Sequence, residues 1–204
     1  LAAYMVEGRP SRDHMAARTL AASDPGAWDA LMSWCARVSA DFITSQIEAG
    51  ASAVQLFDSW VGSLSPRTYR ESVAPYSRMV AQRVAGAVSP VTGERAPLIH
   101  FGTGSAPILA DMAEVGANCV GVDWKTDLSW AIAQVPGKAV QGNLDPALLQ
   151  APWPVIEQAV RDILDAGRSA PGHVFNLGHG VPPTTDPDVL TRIVELVREL
   201  GDAR

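Results

Sequence analysis

The sequence predicts an α/β fold built on a parallel sheet, and three observations lead to that prediction. Short apolar segments alternate with helical patterns at a spacing of roughly 20 to 35 residues. These segments are continuously apolar, as in parallel strands covered on both faces. With 204 residues, 47% of them hydrophobic, the chain can bury a sizeable core as one domain. Two architectures fit: an open doubly wound sheet and part of a (β/α)8 barrel.

Local signals predict the elements in order. We expect residues 1–14 to form a loop and residues 15–20 a short helical turn. Asp24-Pro25 pairs a good N-cap with a proline at the first helical position, which predicts a long helix to about Glu48. Five strand–helix units follow, with strands at residues 53–57, 97–101, 119–122, 139–143 and 173–177, and helices at residues 67–88, 106–115, 128–134, 152–166 and from residue 187.

The barrel is the better fit of the two architectures. No GxGxxG or GxxxxGK[ST] pattern opens a helix, so a nucleotide-binding doubly wound sheet loses support. A full barrel has eight units and about 250 residues. Residues 1–204 are therefore expected to be a single domain, the C-terminal part of a (β/α)8 barrel, with the N-terminal part of the barrel absent from this chain.

Composition excludes several classes of protein. A net charge of −6 argues against a nucleic-acid binder, which would carry a basic face. No apolar run reaches the roughly 18 residues of a membrane span, and no signal peptide opens the chain. Cys35 and Cys119 are isolated, without a CxxC pattern, and are expected to be buried thiols in a reducing compartment. We expect a cytoplasmic protein without a membrane partner.

Polar residues follow the predicted strands, at the end where parallel α/β folds place their sites. Asp123 and Asp145 are natural helix caps, and His100 within its strand favours the core. Asp58 and Ser59 fit a structural or a functional role equally well. His179 lies between two glycines at the predicted rim, and a functional role is the better explanation. Two rim tryptophans, Trp60 and Trp124, could wall an apolar pocket.

Five motifs together resemble the uroporphyrinogen decarboxylase family in order and spacing. They are YMVEG, QLFDSW, GVDW, QGNLDP and FNLGHG, which begin at residues 4, 55, 121, 141 and 175. The resemblance covers essentially the whole chain.

The resemblance implies a cofactor-free lyase that removes the four acetate carboxyl groups of uroporphyrinogen III to give coproporphyrinogen III, on a (β/α)8 barrel that forms homodimers. The family's cleft tyrosine, serine and histidine correspond here to Tyr4, Ser59 and His179, which we expect to bind substrate and take part in catalysis. The flanking glycines are expected to let the macrocycle approach the imidazole of His179.

The sequence also departs from the family pattern. The family's aspartate that grips the pyrrole N–H groups, and its N-terminal arginines, would lie upstream of Leu1. We therefore expect the isolated 204-residue segment to be inactive. The run 182–185 after the GHG motif differs from the usual one.

Two alternatives stay open. A related methyltransferase branch uses zinc held by a His-x-Cys pair, but here His100 is followed by Phe101 and Gly102, so we expect no metal. The other alternative is a non-catalytic porphyrinogen-binding protein, against which the presence of Tyr4, Ser59 and His179 argues.

Overall fold

The computed structural model describes residues 1–202 and contains one parallel sheet. Its five strands lie in the order β1-β2-β3-β4-β5, and every neighbouring pair is parallel. The strands are β1 Val54–Phe57, β2 Leu98–Phe101, β3 Cys119–Gly121, β4 Ala139–Gln141 and β5 His173–Val174. All five predicted strands are confirmed, although each is shorter than the apolar run that predicted it.

Helices precede the sheet and follow each strand. They are α1 Ala2–Glu7, α2 Met15–Ser23, α3 Pro25–Glu48, α4 Pro66–Ser72, α5 Ala74–Val84, α6 Leu109–Ala113, α7 Leu128–Gln134, α8 Trp153–Gly167 and α9 Pro187–Asp202. Short 3-10 turns lie at Val61–Ser63, Ala106–Ile108 and Pro146–Gln150. The predicted start of α3 is confirmed, because the Asp24 side chain accepts a hydrogen bond of 2.9 Å from the Ala27 amide.

Two helix predictions are wrong. The expected opening loop contains α1, whose residues Ala2–Glu7 are mostly good helix formers and which ends at Gly8 with φ 63°. The single helix expected over residues 67–88 is two helices, α4 and α5, which meet at Val73. Pro75 has no N–H to continue the hydrogen-bond ladder of α4, and its ring would clash with the carbonyl four residues earlier.

The strand order decides between the two predicted architectures. A doubly wound sheet reverses its strand order at a switch point, whereas this order never reverses. Right-handed crossovers in one direction place all the helices on the same face of the sheet. This is the arrangement of a (β/α)8 barrel, so the prediction of five β/α units of that fold is confirmed.

The sheet curls away from the helices. Gln55 on β1 and Gln141 on β4 face the side opposite the helices, and a hydrogen bond of 2.8 Å joins their amides. In a flat sheet these two strands would lie roughly 14 Å apart, three strand spacings. The contact across two intervening strands therefore shows the curvature of a barrel wall.

The apolar core fills the space between the sheet and its helices. One cluster joins β1 and β2 to α3 and α5, and includes Ile47, Val54 and Leu98. A second joins β3 and β4 to α6 and α7, around Val120 and Val140. The carboxyl ends of the strands are thus held on a packed wall, with the loops that follow them at one rim.

Both cysteines are buried free thiols, as predicted. Cys35 lies in α3 and Cys119 begins β3, and burial raises the pKa of the Cys119 thiol to about 11. Within residues 1–202, no helix is long and apolar enough to cross a membrane.

Candidate active site

A cavity of about 490 Å³ lies at the carboxyl end of β1, between the loop that follows this strand and helices α1, α2 and α3. Its size falls within the range of small-molecule sites. Tyr4, Ser59 and His179, the three site residues that the sequence predicts, all line it. Residues 175 positions apart in the chain therefore meet at one concave surface.

Tyr4 is held by helix α1 and by an aromatic neighbour. The Gly8 amide donates to the Tyr4 carbonyl at 2.9 Å and closes the last turn of the helix. The Tyr4 ring packs on Trp60, with ring centroids 4.4 Å apart, and the side chain stays 54% exposed. The phenol is therefore positioned by Trp60 and open to a ligand.

Ser59 lies in the turn that follows β1, and the loop after β2 fixes its backbone. The Ser59 carbonyl accepts hydrogen bonds from the amide and from the hydroxyl of Thr103. Within the described part of the chain, the Ser59 hydroxyl itself has no hydrogen-bond partner. This leaves a neutral donor free on the cavity wall.

His179 reaches the cavity from the loop after β5. Its exposed imidazole packs edge-on against the indole of Trp124, with ring centroids 5.5 Å apart. The two neighbouring glycines differ in role. A Cβ at position 178 would overlap the backbone of Trp124, whereas one at position 180 would meet nothing within 4 Å. Gly178 therefore permits the loop after β5 to pack on the loop after β3, a role in internal packing that the GHG pattern does not reveal.

Asp58 carries a hydrogen-bond network that the sequence does not reveal. Its Oδ2 accepts from His100 Nε2 at 2.8 Å and from Ser77 Oγ at 3.0 Å. Burial alone would raise the pKa of the Asp58 carboxyl, but the hydrogen bonds and the charge of the His100 imidazole outweigh it, so the pKa is lowered. Asp58 lines the cavity and is held there as an oriented carboxylate.

His100 lies in the core, as the sequence predicts, with no exposed surface. It faces the helix layer, where Ser77 of α5 meets it through Asp58. Its strand neighbour Phe101 pairs with Phe57, the residue before Asp58, so the register of β1 and β2 brings the pair together. Only that register, which the sequence does not show, could have revealed the contact.

The remaining rim polar groups hold loops together. Asp145 caps the 3-10 turn that follows β4 by accepting from the Ala147 amide at 2.9 Å, as predicted. Asp123 is fully buried and accepts hydrogen bonds from the Thr126 hydroxyl and from the Lys125 and Gly104 amides. It joins neighbouring loops instead of capping α7, whose cap is Asp127.

The chemistry of the cavity is aromatic and hydroxylic, with few charges. Trp28, Phe57 and Trp60 supply apolar wall, as predicted for Trp60. Among the described lining residues, Asp58 is the one carboxylate and Arg18 the one lysine or arginine. No three His, Cys, Asp or Glu side chains within residues 1–202 lie close enough to hold a metal ion.

These features define a barrel-type α/β protein with a cavity of small-molecule size at the carboxyl end of its strands. The family model described as uroporphyrinogen decarboxylase (URO-D) matches residues 1–200. The chain belongs to the uroporphyrinogen decarboxylase family.

Curated relatives agree with this assignment. Proteins named uroporphyrinogen decarboxylase from Arthrobacter sp., Salinispora tropica and Streptomyces coelicolor are 54%, 55% and 54% identical to it, over 98%, 98% and 97% of this chain. The matched regions make up 56%, 52% and 54% of those proteins. The chain thus spans about half the length of the curated relatives it matches.

A solved structure shares the fold. A methyltransferase from Methanosarcina mazei superposes with a TM-score of 0.76 at 18% identity, covering 91% of this chain and 53% of that protein. At this identity the likeness concerns the fold alone.

Proposed function

We propose that the protein containing this chain is a uroporphyrinogen decarboxylase, which removes the carboxyl groups of the four acetate arms of uroporphyrinogen III and releases coproporphyrinogen III. The observation that carries the proposal is the meeting of Tyr4, Ser59 and His179 in one cavity. Relatives that are 54% and 55% identical over nearly the whole chain, and bear that name, support it.

The reaction requires the protein chiefly to position the substrate and to transfer protons. Once a pyrrole carbon beside an acetate arm is protonated, the ring accepts the electron pair of the breaking C–C bond and CO2 leaves. A proton then adds to the exocyclic carbon, which becomes a methyl group, and the ring carbon loses its extra proton. Each cycle consumes one proton per carboxylate. The substrate is its own electron sink, so the proposal needs no cofactor.

Three side chains of this chain fit those needs. Tyr4 and Ser59 are neutral donors for substrate carboxylates or for the proton relay. The imidazole of His179 could donate to a carboxylate, and histidine is also the residue type best suited to proton transfer near neutral pH. Both roles for His179 stay within the proposal. Asp58, an anion on the same wall, favours the cationic ring that protonation creates.

The alternatives gain no support. The methyltransferase from Methanosarcina mazei is only 18% identical in sequence to this chain over the superposed region. It therefore supports the fold and not methyl transfer. A non-catalytic porphyrinogen-binding protein would bind the porphyrinogen without releasing CO2. Incubation with uroporphyrinogen III distinguishes such a protein from an enzyme.

Further proposals concern the domain organisation, the cellular location and the oligomeric state of the protein. We infer that residues 1–204 act as one domain that supplies the C-terminal units of the barrel, that the protein is cytoplasmic, and that it forms a homodimer. The two unpaired thiols support a reducing compartment, and the family resemblance supports the dimer. Sedimentation equilibrium of the full-length protein tests the dimer directly, and a monomer would contradict it.

Incubation with the substrate tests the activity. The protein, expressed from its complete reading frame, is incubated anaerobically with uroporphyrinogen III, and the oxidised products are separated by carboxyl number. We expect a ladder from eight carboxyls to four, which His179→Ala abolishes or slows by about 100-fold or more while circular dichroism stays unchanged. Arg37→Ala, an exposed change on α3 away from the cavity, is the matched control. Unchanged octacarboxylate with folded wild-type protein would contradict the proposal.

A further inference from the structure

Arg18 is a cation on the cavity wall, and no step of the proposed decarboxylation uses it. It lies in the first turns of α2, and its side chain is exposed. The guanidinium makes no ion pair within residues 1–202, and within that range its one side-chain hydrogen bond goes from Nη1 to Met15 Sδ at 4.0 Å. A guanidinium that lines a cavity without an ion-pair partner among the described residues is suited to an anionic ligand group.

His14, on the same wall, has an unsatisfied nitrogen. Its side chain is only 6% exposed, and its Nδ1 is buried without a hydrogen-bond partner among the described residues. Buried polar atoms are nearly always paired, so an unpaired one in a cavity wall points to a missing partner. The imidazole stacks on Trp60, with ring centroids 4.5 Å apart and planes 25° apart.

The backbone of His14 adopts a strained conformation. Its φ of 49° and ψ of 42° put it in the left-handed region, where a residue other than glycine is uncommon. The His14 amide donates to Ser11 Oγ at 3.1 Å, which fixes the turn. A strained conformation that keeps an imidazole at a cavity wall is a feature found at ligand sites.

The two residues lie one helical turn apart. The Arg18 amide donates to the His14 carbonyl at 3.0 Å, and positions four apart share one face of a helix. Glu7 ties this turn to α1, because its Oε1 accepts from the Ala17 amide at 3.1 Å. Since α1 also carries Tyr4, the three side chains are positioned by one connected unit.

We propose that His14 and Arg18 form a subsite that binds one carboxylate arm of the substrate next to Tyr4. Arg18 supplies the charge, and the imidazole of His14, which lines the same cavity, supplies a hydrogen-bond donor. Trp60, which packs against both Tyr4 and His14, sets the spacing between this subsite and the predicted site residues. The assignment of the ligand as a porphyrinogen arm rests on the proposed function, and the contacts alone call for a carboxylate.

Substitutions in the full-length protein test the subsite. Arg18→Ala removes the charge and Arg18→Lys retains it. His14→Phe keeps a flat ring against Trp60 without a nitrogen, and His14→Gln keeps a donor if the aromatic change impairs folding. Arg37→Ala is the control. For each protein, turnover of uroporphyrinogen is measured at several salt concentrations, and coproporphyrin, a stable tetracarboxylate, is titrated by fluorescence.

We expect Arg18→Ala to raise KM and the coproporphyrin Kd by about tenfold, with kcat changed less than about threefold. Arg18→Lys should recover part of the loss, and the salt dependence should weaken in Arg18→Ala. His14→Phe should raise the Kd by about threefold to tenfold. A merely structural role would instead lower the folded fraction and leave KM unchanged.

The outcomes separate the subsite from the activity. Wild-type values of KM and Kd in folded Arg18→Ala and His14→Phe would overturn the subsite while the activity stands. Binding of coproporphyrin that depends on Arg18, by a wild-type protein that does not decarboxylate, would support the subsite and contradict the proposed function. If the wild-type protein neither binds nor reacts, both are wrong.

Discussion

Gly178 shows at the level of one residue how close packing shapes the site. A Cβ at this position would lie 2.7 Å from the Cα of Trp124, whose indole supports His179. We expect Gly178→Ala to destabilise the fold by about 1 to 3 kcal/mol and to displace His179. The midpoint of urea denaturation measures the effect. Gly180→Ala is the matched control, since open space surrounds that position, and equal losses in both variants would contradict this explanation.

The lowered pKa of the Asp58 carboxyl leads us to expect that the stability of the fold depends on pH. Its pKa is lowered in the folded protein, so its ionisation contributes stability at pH values above its unfolded pKa of about 3.9, and that contribution is lost as pH falls through the folded pKa. We expect the difference in free energy of unfolding between wild type and Asp58→Asn to shrink below about pH 4.

Denaturant titrations from pH 7 to pH 3 measure this difference. Ser77→Ala removes one donor to Asp58 Oδ2 and should reduce the pH-dependent part. A difference that stays constant over the whole range would show that the carboxylate is not stabilised by its neighbours.

At the level of elements, helix starts were easier to predict than helix interiors. Asp24-Pro25 marks the start of α3 by local chemistry alone, and the structure confirms it. The break at Val73 is also encoded locally, by Pro75, but the apolar pattern continues through it and predicts a single helix. Helix α1 is not predicted, because six residues carry too little periodicity to distinguish a helix from a loop.

The cap of α3 can be tested directly. Asp24 Oδ1 accepts from the Ala27 amide at the start of a 24-residue helix. We expect Asp24→Ala to lower the free energy of unfolding by about 0.5 to 2 kcal/mol, and Asp24→Ser to retain most of it. Chemical denaturation of the three proteins provides the comparison. A loss in Asp24→Ser as large as that in Asp24→Ala would contradict a capping role.

At the scale of the whole molecule, the fold was predictable and the site only partly so. The alternation of strands and helices led to the parallel sheet, and motif resemblance singled out Tyr4, Ser59 and His179, which lie far apart in sequence and meet in one cavity. The pairing of His100 with Asp58 depends on strand register. The approach of His14 to Trp60 depends on tertiary packing. Neither contact leaves a pattern in the sequence.

The central claim is that one cavity, lined by Tyr4, Ser59 and His179, holds the porphyrinogen. The most direct measurement is a crystal structure of the full-length protein with coproporphyrinogen bound. We predict that a carboxylate or a ring position of the ligand lies within about 3.2 Å of a polar atom of each of the three side chains. A ligand bound elsewhere, with none of the three within reach, would contradict the claim.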